Sequence, residues 1–365
     1  MLPLADLHGA RPAWPPRTGP SGCVVYAQRG TNGYLPPTAC DARHPYPLDL
    51  APAVAVACLF ALLAALHAAT AVLTRKTYCW VLVAGATLEA ASYALRAAAS
   101  RDQASLPLAA AHALLARVAP LWASAFVHMT FARAVLYYAP SAAVCRVPAA
   151  WVSTGLVSLD GVSFALQVAG SVLLLSTSAI TTTTTTTNPT ATGSKVLVAG
   201  VALHAATTVL LASLMAAFAV RMARYDAERG RGFGAGVAEP TRRSWRPLHW
   251  ALGSAAALLT VRDVFRLVEL GLTLAPPRGR RAAAVPLLRS ERYGYALDAL
   301  PVLLCLVVLA VVHPGRFLVG HDAEFPTLAE RRRAERAMRE LEEQKQAQFG
   351  VPLGGSDWAR ERGWD

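Results

Sequence analysis

Charge is scarce in this chain: only 16% of its 365 residues are Asp, Glu, Lys or Arg, while 54% are hydrophobic. Soluble domains carry about 25% charged residues, so a water-soluble globule of this length is excluded and the chain belongs in a bilayer. Segments of about ten residues with strict apolar and polar alternation are missing, which excludes a transmembrane barrel. No HxxxH or HExxH pair occurs. His67, His112, His128, His204 and His313 fall on separate apolar stretches, so no metal site and no intramembrane metallohydrolase is expected. No GxxxxGK[ST] sequence occurs either; with no ATPase motif and no cofactor, any uphill transport would draw on an ion gradient or a partner. The first 20 residues hold Pro, Arg and Trp without an apolar core, so a cleavable signal peptide is not expected. Cysteines are few. Four of the six lie in or near apolar runs (Cys58, Cys79, Cys145 and Cys305). Cys23 and Cys40 share the N-terminal segment, where an oxidising exterior permits a disulfide that spacing alone leaves open.

What is present is a series of apolar runs of about 20 residues or more, the length of membrane-crossing helices. Seven spans are expected, at about 48–73, 78–98, 108–132, 149–175, 196–220, 247–274 and 291–312, in an all-α polytopic membrane protein. The third, sixth and seventh are expected to be the weakest, because they hold Arg117, the Arg262 cluster, and Glu291 with Asp298. Lys and Arg distribution favours an outside N-terminus and a cytoplasmic C-terminus, with seven Arg between Arg221 and Arg246 on the inner side. A five-Arg set from Arg278 to Arg292 on the outer side runs against that orientation. The net charge of +12 therefore points to anionic lipid headgroups and not to nucleic acid; protein partners are unknown.

Residues 1–47 read as an irregular outer segment, 48–313 as the membrane domain and 314–365 as a cytoplasmic tail. The tail carries a capping-box pattern at Thr327-Leu328-Ala329-Glu330, followed by i,i+4 charge pairs such as Arg331 with Glu335, a solvated helix. Seven threonines, Thr181 to Thr187, suggest an exposed stalk. Gly230, Gly232, Gly234 and Gly236 mark a flexible basic loop.

Four apolar stretches each carry side chains at spacings of 0, 4 and 7, which places each trio on one helix face. They are Glu89, Tyr93 and Arg96; Asp160, Phe164 and Gln167; Arg262, Arg266 and Glu269; and Glu291, Tyr295 and Asp298. A charge at mid-bilayer costs about 2.5–3.5 kcal/mol on insertion scales, so these groups must meet one another, a cavity or a ligand. With the N-terminus outside, the stripes and Arg117 converge on the outer half of the bundle. Two accounts compete there: mutual pairing that fixes helix register, and a wet cavity for an amphipathic molecule. Six span acids (Glu89, Asp160, Asp263, Glu269, Glu291 and Asp298) against four span arginines suggest a surplus carboxylate that holds an amine.

These residues resemble the fungal lipid-translocating exporter family, seven-span proteins linked to aminocholesterol resistance and sphingoid long-chain base export. The resemblance runs from about 46 to 318 and rests on five pieces in order: Glu89-x3-Tyr93-x2-Arg96; Ala119-Pro120 with Arg133; Asp160-x2-Ser163-x3-Gln167-x2-Gly170; Arg262-x2-Phe265-Arg266-x2-Glu269-x-Gly271; and Glu291-x3-Tyr295-x2-Asp298 leading to His313-Pro314-Gly315. His67 looks like the family's first-span histidine. His128 departs from the family's usual aromatic residue, and Arg133 follows Ala132 in place of glycine. The resemblance implies a non-enzymatic protein of the plasma membrane, or an endomembrane, that moves or senses lipid-like amphiphiles and confers tolerance to them. The expected headgroup-binding residues are Glu89, Tyr93, Arg96, Arg117, Asp160, Gln167, Arg262, Arg266, Glu269, Glu291, Tyr295 and Asp298. Asp160, Glu269, Glu291 and Asp298 would accept an amine; Arg96, Arg262 and Arg266 would hold a phosphate or neutralise the acids. A seven-span lipid or stress receptor is the alternative reading.

Overall fold

The computed structural model describes residues 17–18, 24–25, 30–36, 38–39, 42–179, 189–232, 243–274, 290–326 and 328–349. Cys23, Cys40, the threonine run and most of the stretch from Arg278 to Arg292 lie outside them. Long Ala-, Leu- and Val-rich runs form α1 (Leu50–Thr74), α2 (Cys79–Arg101), α3 (Leu106–Tyr138), α4 (Ala149–Ala179), α5 (Pro189–Gly232) and α6 (Arg246–Leu274). A seventh rod starts as α7 (Glu291–Gly294), widens into a π turn (Tyr295–Ala299) and continues as α8 (Leu300–Val311). Each rod packs against the next, α8 returns to α1, and α3 also reaches α5 and α6. The bundle is a closed ring with α3 innermost. The ring closes through His67, whose Nε2 lies 3.1 Å from the Leu306 carbonyl of α8.

The polarity of the bundle is inverted relative to a soluble protein. Leu62, Leu66, Val72, Leu73, Trp151, Val209, Trp250, Val264 and Val311 are exposed, while His67, Glu89, His128, Asp160, Gln167, His204, Arg262 and Asp263 are buried. Such an apolar surface, with ionisable groups set inside among the apolar core, suits a shell that meets hydrocarbon. Leu50–Thr74, Leu106–Tyr138, Ala149–Leu175, Thr192–Glu228 and Glu291–Arg316 are long and apolar enough to cross a bilayer. This is a helical, polytopic, integral membrane protein. The two rods that fall short are α6, as expected, and α2, which was not; the third and seventh, also expected to be weak, pass because long apolar flanks dilute Arg117 and the Glu291–Asp298 stripe. By contrast, α6 crowds Arg262, Asp263, Arg266 and Glu269 into one stretch.

Local chemistry sets the connections. Arg75, at φ 54, takes the left-handed conformation that ends α1. Between α3 and α4, Ala143–Val144 pairs antiparallel with Val147–Pro148, and Cys145 and Arg146 both have positive φ, as a two-residue hairpin with the strand twist requires. The α4–α5 seam is built on glycine: a Cβ on Gly170 would lie 2.6 Å from the Leu197 amide nitrogen, and one on Gly200 would lie 2.8 Å from Gln167 Cγ.

One expectation about loops is corrected in part. Gly230 and Gly232, read as part of a flexible basic loop, continue α5, while Gly234 and Gly236 lie outside the described residues; Arg221, earlier on the same extension, donates to the Ala143 carbonyl at 3.0 Å. Just past His313 the chain still packs against the bundle. Gly315 sits so close to α1 that a Cβ would lie 2.7 Å from Thr74 Cγ2. Leu318 and Ala323 are buried, and Lys76 pairs with Glu324 at 2.6 Å. The charged helix α9 (Leu328–Phe349) follows, largely exposed.

Candidate functional site

At the end of the bundle where α1, α7 and the N-terminal segment meet, residues 42–49 form a strap. Gln103, just past α2, holds it by accepting from the Leu48 amide at 3.1 Å and donating back to the Leu48 carbonyl at 3.4 Å. The Asp49 amide donates to Glu291 Oε2 at 3.1 Å. Beneath the strap lies a cavity of about 190 Å³, lined by Arg43, His44 and Tyr46 from the strap and by polar groups of α2, α3, α6 and the seventh rod.

Arg96 organises one wall. Its guanidinium donates to Glu291 Oε1 through Nε at 3.1 Å and Nη2 at 2.8 Å, and Tyr295 Oη donates to the same oxygen at 3.1 Å. Arg96 Nη1 faces His112 Nε2 at 3.2 Å; that makes Nε2 the acceptor and leaves Nδ1–H to donate to the Ser92 carbonyl at 3.0 Å. Arg96 Nη2 also reaches Tyr46 Oη at 3.4 Å.

Asp298 organises the other wall. The π turn carries it inward, where Arg266 grips both its oxygens, through Nε at 2.9 Å and through Nη2, and Arg262 Nε donates at 3.1 Å. Arg266 Nη1 also donates to Glu269 at 2.7 Å. Arg262, fully buried, reaches Asp263 at 3.2 Å and the Ala116 carbonyl at 2.7 Å. Asp263 in turn pairs with His204 at 3.0 Å. Fork-shaped guanidiniums suit this bidentate, multi-acceptor work in a way that an ammonium does not.

Among the twelve expected residues, Tyr93, Arg96, Arg117, Arg266, Glu269, Tyr295 and Asp298 line the cavity. Glu291 and Arg262 sit directly behind them as partners of Arg96 and Asp298. Glu89 is buried nearby, within the electrostatic field of Asp298, Arg262 and Arg266. Asp160 and Gln167 are not among the lining residues. Asp160 Oδ2 pairs with His128 Nδ1 at 2.6 Å, and the residue also borders an apolar groove with Leu121, Trp122 and Phe164. Gln167 Nε2 donates to Ser163 Oγ at 3.0 Å, which donates to the Gly200 carbonyl at 2.8 Å, so that pair staples α4 to α5. The α4 stripe thus lies away from the cavity on which it was expected to converge: Asp160 and Phe164 border the apolar groove, and Gln167 lies in the α4–α5 seam.

Sequence reading passed over Arg43, His44, Tyr46 and His112 as site residues. The strap's basic and aromatic residues looked like irregular tail. On α3, however, Ala109, His112, Ala113, Ala116 and Arg117 recur at helical spacing, a small-residue stripe that leaves room for a cavity. His44, outside the spans, has its pKa lowered to about 4, first by burial and then by the Arg96 charge.

On the outer face of the same wall, Thr260, Val261, Val264, Phe265, Val268 and Leu297 line an apolar trough of about 380 Å³. Arg266 and Asp298 face the polar cavity while their neighbours Phe265 and Leu297 face this trough. One helix seam thus offers a polar site on one side and an apolar one on the other.

Residues 82–321 match the family described as RTA1 like protein. The chain is also similar to the probable lipid transporter atnI of Emericella nidulans, with 29% identity over 307 residues, covering 82% of this chain and 74% of that relative. No solved structure matches.

Proposed function

Because the chain belongs to the RTA1-like family, we propose that it is a non-enzymatic, seven-span protein that binds an amphipathic lipid and promotes its movement across the membrane. Its N-terminus lies outside, its C-terminus in the cytoplasm, and its setting is the plasma membrane. The observation that carries this reading is the joining of a strapped polar cavity to an apolar trough along one α6 seam. A lipid headgroup gains hydrogen bonds in the first while its chain stays in hydrocarbon beside the second. The naming of atnI as a probable lipid transporter supports the same reading.

All seven rods take part because α2 and α6 occupy places in the closed ring between rods apolar enough to span. Arg96 of α2 and Arg262, Asp263, Arg266 and Glu269 of α6 meet ion-pair partners in the bundle, and the exposed faces carry Trp80, Val261, Val264 and Val268.

The test is flux of a fluorescent single-chain lipid in proteoliposomes containing only the purified protein. Flux that exceeds protein-free vesicles supports translocation. Saturable binding with no flux makes the protein a receptor or sensor and removes the translocation reading.

A further inference from the structure

The acids at the cavity are already taken. Asp298 is gripped by Arg262 and Arg266, Glu269 by Arg266, and Glu291 by Arg96 and Tyr295. An amine would have to displace a guanidinium to reach any of them. The cations are not all taken. Arg117 donates through Nη1 to the Ala113 carbonyl of its own helix at 3.0 Å, and no carboxylate among the described residues lies within ion-pairing distance of it. Arg43 likewise has no carboxylate partner among the described residues, and its buried Nε lacks a hydrogen-bond partner. Two guanidiniums thus line the cavity with no carboxylate in ion-pairing distance among the described residues, together with Tyr46 and Tyr295. Sequestering a cation without a counter-ion is costly, and an anion in the same space removes the cost. Guanidiniums match phosphate oxygens in a bidentate manner, and the cavity has room for a phosphate-sized group with water.

We propose that the cavity is an anion site, with Arg117 and Arg43 as its unclaimed guanidiniums, and that the amphiphile taken up is one with a phosphate-bearing head and not an amine-bearing one. This rests on the proposal that the cavity receives a lipid headgroup, and it reverses the surplus-carboxylate expectation. The charge balance inverts because pairing, not composition, decides which charges remain available.

The experiment measures binding to the full-length protein in nanodiscs by thermophoresis, with three probes: lysophosphatidate, an alkylamine of the same chain length, and inorganic phosphate. The expected result is lysophosphatidate binding at least tenfold tighter than the amine, falling at least tenfold in Arg117→Gln and less in Arg117→Lys. Because Arg117 holds no carboxylate, Arg117→Gln should keep the parent's thermal midpoint; Arg43→Gln in the strap gives an independent check on the same loss. Inorganic phosphate that competes with full potency would keep the anion site but make a free anion its occupant. Amine binding equal to or tighter than lysophosphatidate, or affinity unmoved by both Gln variants, overturns the anion site while leaving the lipid-binding reading intact. Binding of neither lipid removes the lipid-binding reading itself.

Discussion

Arg262 of α6 donates to the backbone carbonyl of Ala116 on α3 at 2.7 Å, and that carbonyl is available because Pro120, four residues on, has no N–H to give it. Proline inside a helix orphans the carbonyl one turn earlier, and within a membrane such groups must find another partner. The Ala119-Pro120 element and the Arg262 element, far apart in the chain, are two halves of one interaction.

Arg262 should therefore be among the least replaceable residues. Its removal leaves Asp298 short of a donor, Asp263 short of a cation and the Ala116 carbonyl unpaired. Arg262→Ala should cost about 3–5 kcal/mol, as for other broken buried ion pairs. Arg262→Lys should recover only part, since one ammonium cannot span three acceptors on α3, α6 and the π turn. Thermal unfolding of detergent-purified variants checks this; an Arg262→Ala midpoint equal to the parent's would refute it.

Arg96 and Glu291 join α2 to the seventh rod with side chains only 11% and 10% exposed. A double-mutant cycle with Arg96→Gln and Glu291→Gln should return a coupling energy of about 1–3 kcal/mol, the range for contacting, poorly solvated partners. Additive losses would mean that the pair is not energetically joined.

Gly170 and Gly155 lie on the same helix and predict opposite outcomes. Gly170→Ala puts a methyl against the backbone of α5 and should destabilise by about 1–3 kcal/mol. Gly155→Ala meets nothing within 4 Å and should be neutral or stabilising by up to about 1 kcal/mol. Thermal midpoints of the two variants, measured side by side, decide it.

The strap should loosen in acid. His44 is neutral in the folded protein until about pH 4, whereas in an opened strap it titrates near its ordinary 6.5. The open form therefore binds protons first. Closure is at full strength above pH 6.5 and weakens progressively as pH falls from 6.5 to 4. Labelling of a cysteine placed at Ala113, in the cavity, should accelerate across that window. His44→Gln should flatten the dependence; an unchanged pH profile in this variant would assign it to another group.

The four stripes were legible in sequence because helical periodicity puts residues 0, 4 and 7 apart on one face, and polar groups in hydrocarbon must turn inward. Three of those stripes do meet at the cavity. The fourth does not: Asp160 found His128, and Gln167 found Ser163 and the close α4–α5 seam. Periodicity specifies which way a side chain points relative to its own helix, but not which helix it faces. The strap was illegible for a related reason. Arg43, His44 and Tyr46 have no periodic pattern, and tertiary contacts with Gln103, Glu291 and Arg96 bring them over the cavity.

Sequence alone determined that this is a helical membrane protein of the RTA1-like family with ionisable residues on inward faces, because hydropathy and helical spacing are properties of neighbouring residues. Only the tertiary structure decided which carboxylates are spent on which guanidiniums, and hence that Arg117 and Arg43 have no carboxylate partner among the described residues. Charge pairing depends on distances between groups that the chain itself leaves as many as 248 residues apart, as with Lys76 and Glu324.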